Sequence, residues 1–133
     1  MFKSDNLGKL VLRLVLGGLI LFHGISKLHY GIGFVTDMLA KQGLPTSIGY
    51  LVYIGEVVAP LLIILGIAGR LGALIVVVNM LFALGLAHTS QFTSVDPNTC
   101  GYALELQAMY LFGALSLLLT GMGRFVLGGS KLN

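Results

Sequence analysis

The sequence predicts an all-α fold: a transmembrane four-helix bundle, with a short interfacial helix between the first two spans and both termini in the cytoplasm. Three observations predict it. Hydrophobic residues make up 56% of the 133 residues and charged residues only 10%, against roughly a quarter charged in soluble domains. A soluble chain of this length has no interior able to hide that much apolar surface, so the excess faces lipid. The apolar residues form four long stretches, at about residues 7–28, 48–66, 71–88 and 102–122. Finally, the few costly polar side chains stand inside those stretches, where other helices and not lipid can satisfy them. With no composition break, linker or internal repeat, residues 1–133 read as one membrane domain.

The first stretch, LGKLVLRLVLGGLILFHGISK from Leu7 to Lys27, is long enough as a helix to cross about 30 Å of hydrocarbon. At about 100° per residue, His23 lies roughly 80° from Arg13, and Lys27 about 40° from each. Gly17 and Gly24 fall on the same strip, so one face is basic and small while the rest is Leu, Ile, Val and Phe. A positive start without a small-x-small cleavage site behind the apolar run reads as a retained signal-anchor. Next, GFVTDMLAKQGLP puts Phe34, Val35, Met38 and Leu39 on one face and Asp37 and Lys41 on the other, until Gly43 and Pro45 stop it. That is a helix of two to three turns lying in the interface, either a plain connector or a lid over a site.

The second span, Ile48–Gly66, carries Glu56 about halfway along. Pro60 follows four residues later, so its ring presses on the carbonyl of Glu56 itself and breaks the helix at the depth of the carboxylate. Gly49, Tyr53, Glu56, Pro60 and Ile63 share one face. GIAGR at 66–70 allows almost no loop and makes spans two and three a hairpin. The third span, Leu71–His88, has Asn79 at mid-span, a natural interhelical hydrogen-bonding residue. His88 is nine residues further and points to the other side. In the fourth, Tyr102–Met122, Glu105, Ala108, Phe112 and Ser116 share a face.

Lysine and arginine set the orientation. Lys3, Lys9, Arg70, Arg124 and Lys131 collect on one side and Lys27 and Lys41 on the other, which puts both termini of a multi-pass membrane protein in the cytoplasm. Tyr30, Tyr50, Tyr53 and Tyr102 then form an outer aromatic belt. No lysine-rich run or zinc-finger spacing suggests nucleic acid as a partner; the bilayer is the expected environment, with a homo-oligomer as an open possibility.

A charge at mid-bilayer costs about 2.5–3.5 kcal/mol even on the milder insertion scale. Glu56 therefore needs a partner or a proton. Glu56 and Glu105 are expected to pair with Arg13, Lys27 and His23, although spacing alone does not assign the pairs; Arg13 could instead snorkel to inner headgroups and Lys27 anchor the outer interface. Arg13, His23, Lys27, Tyr53, Glu56 and Glu105 are the candidate ligand-binding residues of a polar pocket in the outer half, walled by Tyr53, Tyr110 and Phe112. His23 and His88 could face each other as axial haem ligands, but no CxxCH, second cysteine or acid–histidine repeat supports a metal. Cys100, the one cysteine, forms no intrachain disulfide.

Five segments in order, RLVLGGLILFHGISKL at 13–28, GLP at 43–45, GEVVAPLLIILGIAGR at 55–70, NMLFALGLAH at 79–88 and GYALELQAMYL at 101–111, resemble the DoxX family of small four-helix bacterial membrane proteins over nearly the full length. The resemblance implies a single DoxX-like domain with its polar positions at Arg13, His23, Gly24, Lys27, Glu56, Arg70 and Glu105. It also implies redox association, because the family takes its name from subunits of an archaeal terminal quinol oxidase and thiosulfate:quinone oxidoreductase. The implied cofactor is a quinone and the implied partner a redox-enzyme subunit. The periplasmic thiosulfate-handling portion is not part of this chain, so the implied role is that of a subunit. Two functions follow. In one, Lys27 or His23 bonds a quinone carbonyl and Glu56 or Glu105 handles its proton. In the other, the chain is a non-enzymatic scaffold or small-solute transporter, and a second copy supplies the half that one four-helix copy lacks.

Overall fold

The computed structural model describes residues 5–31, 33–87, 105–128 and 133, with the backbone alone for Phe34, Val35, Met38, Leu86, Ala87 and Glu105. All regular structure among the described residues is helical. Helix α1 spans Asp5–Tyr30 and the short α2 spans Gly33–Lys41. Helix α3 is a composite rod over Thr46–Leu65: a 3-10 turn at Thr46–Tyr50, one α turn, a π turn at Ile54–Val58 and a final α segment at Ala59–Leu65. Helix α4 runs Gly69–Ala87 and α5 Glu105–Thr120. His88, Cys100 and Tyr102 lie outside the described residues.

Two of these helices, Asp5–Tyr30 and Thr46–Leu65, are long and apolar enough to cross a membrane; Gly69–Gly85 and Leu106–Thr120 are shorter apolar segments. The helices pack in the order α1–α3–α4–α5, with three extensive seams and a much lighter one where α5 returns to α1. One apolar core serves them all. Leu16 and Ile20 come from α1, Ala59 and Ile63 from α3, Ala73, Val76 and Met80 from α4, and Tyr110, Ala114 and Leu117 from α5. The opposite faces stay uncovered: Val11, Val15, Phe22, Ile25, Val78, Leu81, Met109 and Leu119 are all exposed. So many bare apolar side chains around a small core is the pattern of a bundle solvated by acyl chains.

The turn between α3 and α4 is as tight as the GIAGR sequence requires. Gly66 takes the left-handed conformation (φ +70°) that ends α3, a shape available to glycine without penalty. Residues 121–128 then fold back across this end of the bundle. Leu127 N–H donates to the Leu65 carbonyl at 3.0 Å and Gly128 N–H to the Gly66 carbonyl at 3.2 Å. The Asn133 carboxamide closes the same joint, accepting from Gly69 N–H at 2.8 Å and donating to Gly66 O at 2.7 Å.

Candidate functional site

The site starts from a defect in α3. Pro60 has no N–H to offer the Glu56 carbonyl, and its ring crowds that carbonyl. The backbone responds by widening: Ala59 N–H bonds back to Ile54, five residues earlier, and Ile54–Val58 becomes a π turn. Single π turns inside α-helices recur at functional sites. Gly24 of α1 lies directly on the released carbonyl, so close that an added Cβ would sit 2.2 Å from Glu56 O and 2.8 Å from Val57 Cγ2. The other flank of the turn is equally tight, since a Cβ on Gly55 would fall 2.6 Å from Cγ of Asn79 on α4. Two glycines thus let neighbouring helices clamp the irregular turn.

With α1 held that close, Lys27 stands one turn beyond Gly24 and beside the Glu56 side chain. Lys27 Nζ donates to Glu56 Oε1 at 2.7 Å and lies 2.6 Å from Oε2. The carboxylate is buried, with 10% of its side chain exposed, while the lysine keeps 31%. Oε2 is itself buried, and beyond the ammonium it has no hydrogen-bond partner among the described residues. The Tyr53 hydroxyl donates to the Lys27 carbonyl at 3.3 Å, fixing the last turn of α1 to the start of α3. Across the pair stands Tyr110 of α5, buried and within electrostatic reach of Glu56. His23, exposed on α1, meets the Tyr110 ring edge-on at 5.9 Å. The result is a buried anion, a half-open cation, a phenol and an imidazole, gathered at the tyrosine-rich end of the bundle.

Of the six residues expected in the pocket, the structure gathers Lys27, Glu56, Tyr53 and His23. It places Arg13 apart. Arg13 precedes Lys27 by 14 residues on the same helix, about 21 Å along the axis, and is 1% exposed. Its Nε donates to Ile63 O and its Nη2 to Ile64 O, both at 2.9 Å; Nη1 donates to Met122 O at 3.1 Å and Phe125 O at 2.6 Å. Neither expected arrangement, a carboxylate partner or snorkelling to headgroups, is what the guanidinium adopts. The reason is the end of α3, whose last carbonyls have no intrahelical donor. Arg13 serves Ile63 and Ile64, and the returning tail serves Leu65 and Gly66. Phe112 also departs from expectation: it is 62% exposed, on the outside of the bundle. Two residues along a helix from buried Tyr110 is roughly 200° of rotation, so the two rings cannot share a wall. The side chain of Glu105 lies outside what the structure describes. In the sequence Gly24 stands as a small residue on the basic strip and among the positions the family resemblance implies; neither indicates that it lies on the Glu56 carbonyl.

A small helical bundle with a buried acid–base pair inside a lipid-facing shell is the class of protein these features define. The sequence model of the DoxX family matches residues 8–89; the chain belongs to the DoxX family and is a membrane protein of it. It is similar to a Bacillus subtilis (strain 168) protein named "Putative oxidoreductase CatD", with 29% identity over 136 residues, covering 98% of this chain and 96% of the relative. No solved structure matches the fold.

Proposed function

We propose that the chain is a redox-associated subunit of the bacterial inner membrane that binds a quinone headgroup, or a small ligand of like chemistry, between Lys27, Glu56, Tyr53 and His23. The observation that carries this reading is a buried carboxylate whose ion-pair partner, Lys27, keeps 31% of its side chain exposed and so reaches from the carboxylate to the surface. A cation that reaches the surface while holding a buried carboxylate can turn to a ligand, and the carboxylate would then need that ligand's donor in its place. The hydroxyl of a reduced headgroup would donate to Glu56 Oε2, and the Lys27 ammonium would meet a carbonyl oxygen of the oxidised form. Glu56 would take or return the proton, with Lys27 stabilising its anion. Support for the redox role comes from the name of the Bacillus relative and from the family resemblance. Both termini face the cytoplasm in this reading, α1, α3 and the shorter apolar α4 and α5 all cross the bilayer, and electrons come from or go to a separate partner subunit.

A titration of the full chain in lipid nanodiscs with decyl-quinone and decyl-hydroquinone tests the reading. Saturable binding is expected for wild type, weakened at least about tenfold in Glu56→Gln, which corresponds to about 1.4 kcal/mol. If wild type shows no saturation, or if Glu56→Gln binds equally well, the polar cluster only holds the bundle together and the scaffold or transporter reading stands.

A further inference from the structure

At the end of the bundle opposite the Lys27–Glu56 pair, α1 and α5 part and leave a cleft of about 430 Å³, lined by Asp5, Gly8, Lys9 and Leu12 of α1 and by Ser116 and Thr120 of α5. Its floor is apolar. It closes where Leu12 and Leu16 lie against Gly113, at which an added Cβ would meet Leu16 Cδ1 at 3.4 Å and Leu12 Cδ1 at 3.9 Å. Its rim is charged. Asp5 and Lys9 stand four residues apart with the acid first, the spacing and order that favour a helical ion pair. Among the described residues they do not pair; the one ion pair there is Lys27–Glu56. Both side chains instead line the cleft. On the facing wall, Thr120 donates its hydroxyl hydrogen to the Ser116 carbonyl at 2.8 Å, which leaves the oxygen lone pairs available to a donor in the cleft.

This combination selects a ligand. A separated anion and cation at the rim fit a molecule carrying both charges a short distance apart, and Leu12 behind them fits a molecule whose body continues into hydrocarbon. We propose that the cleft binds the headgroup of a zwitterionic phospholipid with a primary amine, the phosphate on Lys9 and the ammonium on Asp5 and the Ser116 and Thr120 hydroxyls. A primary ammonium carries three hydrogen-bond donors for these acceptors, whereas a quaternary one has none. An anionic headgroup without an amine would leave Asp5 unpaired beside a phosphate, a like-charge contact.

The site shares no residue with the proposed quinone pocket, so either can fail alone. Native mass spectrometry of the full chain, released from micelles holding equal amounts of phosphatidylethanolamine, phosphatidylcholine and phosphatidylglycerol, reads the preference directly. Several-fold greater retention of phosphatidylethanolamine is expected. Lys9→Gln is expected to lower retention of all three lipids, and Asp5→Asn to erase the preference over phosphatidylglycerol, with melting unchanged in both. Should Lys9→Gln fail to fold, Ser116→Ala combined with Thr120→Val carries the test and is expected to narrow the preference over phosphatidylcholine. Equal retention of the three lipids, preference for phosphatidylglycerol, or variants that retain lipid as wild type does would each overturn the proposal. Displacement by soluble glycerophosphoethanolamine would overturn the assignment to a membrane lipid.

Discussion

Arg13→Leu is expected to be the most damaging single substitution in the chain that leaves its apolar character intact. Leucine is the better residue for lipid on any transfer scale, so hydropathy alone would call the change favourable. The structure argues otherwise. The guanidinium holds four carbonyls from two separate segments, Ile63 and Ile64 at the end of α3 and Met122 and Phe125 beyond α5. Each buried carbonyl left without a donor costs about 1–3 kcal/mol, and even partial rescue by rearrangement leaves a loss of several kcal/mol against a typical net stability of about 5–15 kcal/mol. A drop in melting temperature on the order of 10–20 °C in detergent is expected, or loss of the monodisperse peak altogether. Arg13→Lys is expected to recover little, because a single ammonium on a flexible stem cannot reproduce the planar fork that spans both segments. A leucine variant that melts with wild type would show that the tail and α3 find other partners.

Gly24→Val is the second large effect, and it acts on the site as well as on stability. The Cβ it adds would lie 2.2 Å from Glu56 O, 2.6 Å from Glu56 C and 2.8 Å from Val57 Cγ2. Ordinary carbon–oxygen contacts lie near 3.3–3.6 Å, so α1 and the π turn must separate by roughly 1 Å. Backbone is the obstruction, and backbone does not swing aside as a side chain would. Overpacking of this kind costs typically 1–3 kcal/mol. It also moves Lys27 away from Glu56, since the two are brought together by that approach. Ligand binding in nanodiscs is therefore expected to fall further in Gly24→Val than the loss of melting temperature alone accounts for, with Gly24→Ala intermediate. Retention of full binding by a destabilised Gly24→Val would separate the helix contact from the site.

These two positions also mark how far the sequence could be read. The helical spans were readable because lipid exposure leaves a signal in every residue: the expected first stretch from Leu7 falls inside α1 at Asp5–Tyr30, and the second, Ile48–Gly66, matches Thr46–Leu65 except that Gly66 is the cap beyond the helix end. The disturbance at Glu56 was readable too, from Pro60 four residues on, although its form as a π turn depends on how α1 and α4 pack against it. The Lys27–Glu56 contact was contained in the expected set of acids and bases without being singled out, because helical spacing fixes faces and not which helices adjoin. Arg13 was the least readable. Its partners are main-chain carbonyls 50 and 109 residues away in the cases of Ile63 and Met122, and a carbonyl leaves no mark in a side-chain pattern. A basic residue in an apolar span suggests a carboxylate partner or a headgroup; an unfinished helix end as the partner becomes visible only once the tail is seen folding back over it.

The Lys27–Glu56 pair as a working ligand site, not a rivet, is the central claim, and a double-mutant cycle on binding tests it most directly. Decyl-hydroquinone affinity is measured for wild type, Lys27→Met, Glu56→Gln and the double variant in nanodiscs of one lipid composition. Two groups that hold one headgroup together give strongly non-additive losses, with the double variant binding no worse than the weaker single variant. Additive losses, or singles that melt lower yet bind as wild type does, would contradict it.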